Sequence, residues 1–165
     1  KAVVFFYPLD FTFVCPSELI AFDKRLAEFQ KRGVEVIGVS IDSQFSHNAW
    51  RNTEIKDGGI GKVGYTLVAD VKHEICQAFD AEHPEAGVAF RASFLIDEDG
   101  LVRHQVVNDL PLGRNIDEML RMVDALNFHQ EHGEVCPAGW QEGKKGMDAS
   151  PEGVAAYLSE NAEGL

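Results

Sequence analysis

The residue of this chain best equipped for chemistry is Cys15, in the run Pro8-Leu9-Asp10-Phe11-Thr12-Phe13-Val14-Cys15-Pro16-Ser17-Glu18. An apolar strand-like run, residues 2–7, precedes it, and an amphipathic helix begins at Pro16. Proline suits the first turn of a helix, where its missing N–H has no intrahelical use. Cys15 therefore stands at a helix start, where unpaired N–H groups and the macrodipole favour negative charge. A thiol so placed is favoured as thiolate, the nucleophilic form. Thr12, three residues earlier, brings a hydroxyl within reach of the sulfur. The opposing reading is a buried cysteine that only packs, the commonest state of a free thiol. These residues alone leave both readings open.

The other candidate ligands and nucleophiles carry less. Three cysteines, Cys15, Cys76 and Cys136, are too few and too far apart for a secreted disulfide framework, and there is no C-x-x-C. An odd count fits a reducing compartment, so a cytoplasmic location is expected, and any disulfide must join distant residues or two chains. Cys76 lies at the edge of an apolar stripe and reads as packing. His129-x-x-His132-x-x-x-Cys136 has passable metal-ligand spacing but no evident fourth ligand, and reads as solvated histidines. Gly59-Ile60-Gly61-Lys62-Val63-Gly64 spells G-x-G-x-x-G, yet it follows no strand and leads into one, which removes the dinucleotide reading. Val63 after Lys62 removes the P-loop reading too. No metal and no cofactor are expected.

The elements that must position Cys15 follow from periodicity. After Pro16, Leu19, Phe22, Leu26 and Phe29 form one helical stripe that Gly33 ends. Residues 34–41 read as an apolar strand, completing a βαβ unit with parallel pairing. A helix over 43–53, a glycine-rich loop over 57–64 and a strand over 66–69 come next. Val71, Ile75, Ala78 and Phe79 then mark a further helix stripe. Strands over 92–96 and 101–107 flank the hairpin signal Asp97-Glu98-Asp99-Gly100. A long helix carries Ile116, Met119, Leu120, Val123 and Leu126, and one more helix is expected over 150–160. The order predicts an α/β protein of thioredoxin-like fold: a mixed central sheet with helices on both faces and a C-terminal tail. The domain is placed over 1–130, with a tail over 131–165 that carries Cys136.

Composition sets outer bounds. The chain has 165 residues, 45% of them hydrophobic, enough for one respectable core. A net charge of −12 argues against nucleic acid and anionic membrane surfaces as partners. No apolar stretch approaches a membrane span, and no charged-then-apolar signal segment opens the chain. The sequence starts inside a strand-like run, and a further upstream segment is expected.

Pro8-x-x-x-Thr12-x-x-Cys15 resembles the active-site signature of the peroxiredoxins, and its flanks resemble the typical two-cysteine branch, which includes bacterial alkyl hydroperoxide reductase peroxidase subunits. The likeness continues through Gly38-Val39-Ser40-Ile41-Asp42-Ser43, His47-Asn48-Ala49-Trp50, Arg91-Ala92-Ser93-Phe94-Leu95-Ile96-Asp97, Asn108-Asp109-Leu110-Pro111-Leu112-Gly113-Arg114 and Gly133-Glu134-Val135-Cys136-Pro137-Ala138-Gly139-Trp140. It spans nearly the whole chain.

The resemblance implies a thiol peroxidase for hydrogen peroxide and organic hydroperoxides. Cys15 would attack the peroxide and become a sulfenic acid. Thr12 would hydrogen-bond sulfur and peroxide, Pro8 would shield the pocket, and Arg91 would stabilise the thiolate and the charge moving onto oxygen. Arg114 would sit behind, with Glu18 and Trp50 ordering the site. Cys136 would be the resolving cysteine of a partner chain, closing an intermolecular disulfide before irreversible oxidation. A homodimer follows, with a decameric ring of five dimers, and a thioredoxin or a flavoprotein disulfide reductase as electron donor. A holdase chaperone is the alternative, and a thiol–disulfide oxidoreductase is disfavoured by the missing C-x-x-C. The Gly58 to Gly61 loop resembles one tied to easy overoxidation, but Tyr157 is followed by Leu158 where its usual partner pattern is Tyr-Phe; intermediate sensitivity is expected.

Overall fold

Strand β1 (Ala2–Phe6) sends successive side chains to opposite faces, and both faces are covered. The computed structural model describes residues 1–165. Its five-stranded sheet has the order β3-β2-β1-β4-β5. Strand β2 (Glu35–Ser40) pairs parallel to β1, and β3 (Thr66–Ala69) pairs parallel to β2. Strand β4 (Arg91–Ile96) runs antiparallel to β1, and β5 (Val102–Asn108) antiparallel to β4. Val3 thus sits between Val36 and Leu95, a fully apolar row at the centre.

Helices lie on both faces of this mixed sheet. Phe5 stacks on Phe22 of α1 (Cys15–Lys24), with ring centroids 4.1 Å apart. Phe6 points the other way, into a buried cluster with Val39, Phe94 and Cys76 of α4 (Glu74–Ala78). Cys76 is fully buried there, packed as its apolar neighbourhood predicts. Between β2 and β3 lies α3 (Gln44–Arg51), started by Ser43, whose Oγ accepts the Ser46 N–H at 3.2 Å.

Two helical expectations are corrected. The stripe from Pro16 to Phe29 is not one helix: the chain breaks at Arg25 (φ −108°), and α2 (Leu26–Lys31) follows. Arg25 turns its N–H to the Phe22 carbonyl at 3.1 Å, a tighter turn than the α-helix makes. Across the break, Asp23 accepts the Gly64 N–H at 2.7 Å, and Leu26 packs so closely on Gly64 that a Cβ there would lie 2.9 Å from Leu26 Cδ2. Val71 is not part of the α4 stripe. It is 56% exposed, because His73 takes a left-handed conformation (φ 63°) that stops the helix from extending upstream. Asp70 instead accepts the N–H groups of Ile75 and Cys76, at 3.0 and 2.8 Å, and so caps α4.

The chain groups into two compact units, 1–116 and 117–165. In the second, α5 (Ile116–His132) carries the following segment: the rings of Phe128 and Trp140 lie 4.8 Å apart, and Val135 and Met147 exchange backbone hydrogen bonds at 2.9 Å. Helix α6 (Pro151–Asn161) is capped by Ser150, which accepts the Gly153 N–H at 3.0 Å. All of α5 after Ile116 lies in the second of these units.

Candidate active site

Between β1 and α1 the chain makes a loop whose shape is held from below. Tyr7 donates to Asp10 Oδ1 at 2.7 Å, and His47 Nδ1 meets Asp10 Oδ2 at 2.7 Å. The Asp10 N–H donates to Asp42, which Ser40 also reaches, at 2.5 Å. Burial pulls the His47 imidazole down, but the Asp10 carboxylate lifts it more, leaving its pKa above the ordinary value. Burial and the same carboxylate push the Tyr7 phenol far up, so it stays a donor. Above this network Phe11 adopts φ 55°, a strained value for a bulky residue, with its ring 5.8 Å from that of Trp50. Trp50 is itself buried and anchored through Nε1 to the Gly58 carbonyl at 3.0 Å. Pro8, buried, opens the loop directly after Tyr7.

That loop delivers Thr12 and Cys15 to one point. Cys15 is the first residue of α1 and fully buried. Thr12 Oγ1 lies 3.0 Å from Cys15 Sγ and 2.7 Å from the Leu9 carbonyl, so its single proton is shared between them. From the first residue of β4, Arg91 donates through Nη1 to Cys15 Sγ at 3.4 Å and to Glu18 at 2.8 Å; its Nε donates to the Leu110 carbonyl at 2.6 Å. Arg114 grips Glu18 through its backbone N–H, Nε and Nη2, and spends Nη1 on the Ala92 carbonyl at 2.8 Å. Its guanidinium lies 5.3 Å over the Phe5 ring. Burial pushes the Glu18 carboxyl up, yet the two guanidinium groups draw it down further, leaving it below the ordinary value.

Two cations and one carboxylate are thus buried together, each side chain at most 5% exposed. One positive charge of this group is left over beside the Cys15 sulfur. Both donors reach the sulfur as an acceptor, a role in which a thiolate far exceeds a thiol. Cys136, in the second unit, is a free and partly exposed thiol.

Residues 1–105 match the AhpC/TSA family, and residues 125–160 match the C-terminal domain of 1-Cys peroxiredoxin. The chain belongs to the AhpC/TSA family of peroxiredoxins. It is 62% identical to alkyl hydroperoxide reductase C of Buchnera aphidicola from Schizaphis graminum, over 94% of this chain and 79% of that protein. Identity to the Helicobacter pylori protein of the same name (strain 26695) is 60%, over 98% of this chain and 81% of that one. The reduced 2-Cys peroxiredoxin of Plasmodium vivax superposes with a TM-score of 0.94 at 49% identity, covering 96% of this chain and 81% of that structure. This peroxiredoxin is a thiol peroxidase with the thioredoxin-like fold.

The structure brings together Thr12, Cys15, Glu18, Arg91 and Arg114 in direct contact. Trp50 lies one step away, against Phe11 and the Gly58 carbonyl. Cys136 belongs to the second unit, where its thiol donates to the Ala125 carbonyl at 3.4 Å. His129 is occupied by the Glu134 carbonyl at 2.8 Å, and the His132 ring packs on Phe128. Sequence reasoning missed the Tyr7-Asp10-His47-Asp42 network as a support of the loop. Its signal was present: Asp10 interrupts an apolar run, and Ser40 and Asp42 end an apolar strand.

Proposed function

We propose that this peroxiredoxin reduces hydrogen peroxide and organic hydroperoxides by a two-cysteine cycle, with Cys15 as the attacking and Cys136 as the resolving sulfur. The observation that carries the first assignment is the pair of donors, Thr12 and Arg91, converging on a buried Cys15 sulfur. The thiolate attacks the terminal peroxide oxygen, an S–O bond forms and the O–O bond breaks. The released alkoxide or hydroxide takes a proton and leaves as alcohol or water. Negative charge moves from sulfur to the leaving oxygen during this step. Donors already aimed at the sulfur can follow that charge with little reorganisation, which is where their rate advantage arises. Pro8 keeps water from the sulfur, and Arg114 acts through Glu18 by fixing the Arg91 guanidinium.

Resolution needs a second thiol to reach a sulfur that has no exposed surface, so the first turn of α1 must open. Its start supports this: Val14 at the N-cap offers no side-chain acceptor, and Glu18 N–H reaches the Val14 carbonyl only at 3.4 Å. The Cys136 thiol of a second copy then closes the disulfide, water leaves, and a thioredoxin or a flavoprotein disulfide reductase restores both thiols. Two surfaces favour assembly of copies into dimers and a ring. Strand β5 ends the sheet with exposed Val102 and Val106, an open apolar edge that invites pairing. Phe13 and Phe45 are 94% and 76% exposed. The domain assignment proposed with this cycle is a peroxidase part over 1–130 and a resolving tail over 131–165. No helix is long and apolar enough to cross a membrane, and a cytoplasmic setting is the proposed location.

Peroxide consumption by Cys15→Ser, measured with each purified reductant against hydrogen peroxide and a bulky alkyl hydroperoxide, tests the assignment. Loss of turnover in a folded variant is expected; wild-type turnover would overturn it.

A further inference from the structure

Helix α5 holds the Cys136 segment at two points on one face. The Cys136 thiol donates to the Ala125 carbonyl at 3.4 Å, and Arg121, four residues earlier, donates through Nη1 to the Trp140 carbonyl at 2.7 Å. Positions four apart lie one above the other on a helix. The turn over 136–140, closed by the Trp140 N–H on the Pro137 carbonyl at 3.0 Å, is therefore pinned at both ends. Arg121 is itself aimed. Glu118, three residues earlier, takes Nε and Nη2 at 2.7 Å each, which leaves Nη1 for Trp140.

The same side chain sets the charge around the thiol. Burial pushes Cys136 up, the Arg121 cation draws it back, and the Glu134 carboxylate pushes it up again, for a net rise. The charges that act on the sulfur are thus Arg121 from α5 and Glu134 from its own segment, with Glu118 paired to Arg121. His129, also on α5, is bound to the Glu134 carbonyl rather than to the thiol.

We infer that Arg121 is the positioning residue of the resolving step, holding the 136–140 turn on α5 and supplying the positive charge that the Cys136 sulfur needs as it attacks. This rests on the reading of Cys136 as the resolving cysteine. In that step Cys136 gives up its proton and its sulfur bonds the sulfur of a Cys15 sulfenic acid. The S–O bond breaks, and the departing hydroxide takes the proton as water. Charge develops only on Cys136 before the bond forms, so a cation beside it favours the attacking state. A lysine could supply charge but not a fork that serves Glu118 and Trp140 together.

Stopped-flow tryptophan fluorescence on the whole chain separates Cys15 oxidation from disulfide formation, and the second phase is followed from about pH 6 to 9, the range around an ordinary thiol pKa. In Arg121→Gln the second phase is expected to slow about tenfold at neutral pH, with its midpoint moved to higher pH. Arg121→Lys is expected to regain the midpoint while staying slower than wild type. Glu118→Gln, which frees the guanidinium from its counter-charge, is expected to move the midpoint the opposite way. It also serves as the deciding variant if Arg121→Gln does not fold. An unchanged second phase and midpoint in Arg121→Gln, or an unmoved midpoint in Glu118→Gln, overturns the role. Cys136→Ser separates the two ideas. A wild-type second phase there overturns the resolving role of Cys136 itself, whereas its loss beside a normal Arg121→Gln overturns only the role of Arg121.

Discussion

Arg114 binds both carboxylate oxygens of Glu18, through Nε at 2.8 Å and Nη2 at 3.0 Å, although 96 residues separate them. Glu18 is thereby locked in the orientation that presents Oε2 to Arg91, which in turn faces the Cys15 sulfur. The order of the reactive centre runs outward through these three side chains.

Glu18→Gln keeps the shape and removes the only anion between two buried guanidinium groups. Breaking a buried ion pair from one side costs about 3–5 kcal/mol, to be read from denaturant unfolding. Misplacing Arg91 is expected to slow the peroxide step by roughly ten- to a hundredfold in stopped flow. Because the folded Glu18 lies below its ordinary value of 4.5, its stabilisation is present above that pH and lost as pH falls through the lower folded value. The variant should lack this part of the acid-side loss.

Thr12→Val is close to isosteric and deletes the donor 3.0 Å from Cys15 Sγ. The rate constant with hydrogen peroxide is expected to fall about a hundredfold, with little change in unfolding midpoint. Competition kinetics measures it, and an unchanged rate would remove the hydroxyl from the transition state.

The His47–Asp10 pair makes a prediction of opposite sign. Its imidazole lies above the ordinary 6.5, so its stabilisation is fully present below that pH and is lost as pH rises through the folded value. The stability difference between wild type and His47→Asn should therefore be largest in mild acid and shrink with rising pH. Unfolding midpoints across the range decide it; a difference that grows towards alkaline pH contradicts the charged pair.

Cys76→Ala should leave turnover at the wild-type level and cost about 1 kcal/mol of stability, as a small buried deletion does. Burial pushes this thiol up to about 12, so in the folded protein it should resist alkylation at pH values where Cys136 reacts. Mass-spectrometric mapping of the label reports both.

Much of this was legible without coordinates, and for a local reason. Pro8, Thr12, Cys15, Pro16 and Glu18 stand within eleven residues, and a loop-to-helix junction so short leaves the chain few ways to run. The strands, the long helix with Ile116 and Val123, and the capped helix after Ser150 were set by periodicity and end signals in the same way. The break at Arg25 and the late start of α4 were not readable. The first depends on Gly64 meeting Asp23 and Leu26 from another part of the chain, the second on a left-handed His73 and an Asp70 side chain that caps from outside the helix.

By itself, then, the amino-acid sequence determined where the Cys15 thiol stands, its hydroxyl neighbour, the helix start and the alternation of strand and helix, because each depends on contacts along a short stretch of chain. That Arg91, 76 residues from Cys15, is no surface arginine but the buried partner of its sulfur was decided only by the tertiary structure. The antiparallel pairing of β4 with β1 carries it there, and Glu18 and Arg114 make its burial tolerable by balancing the charge.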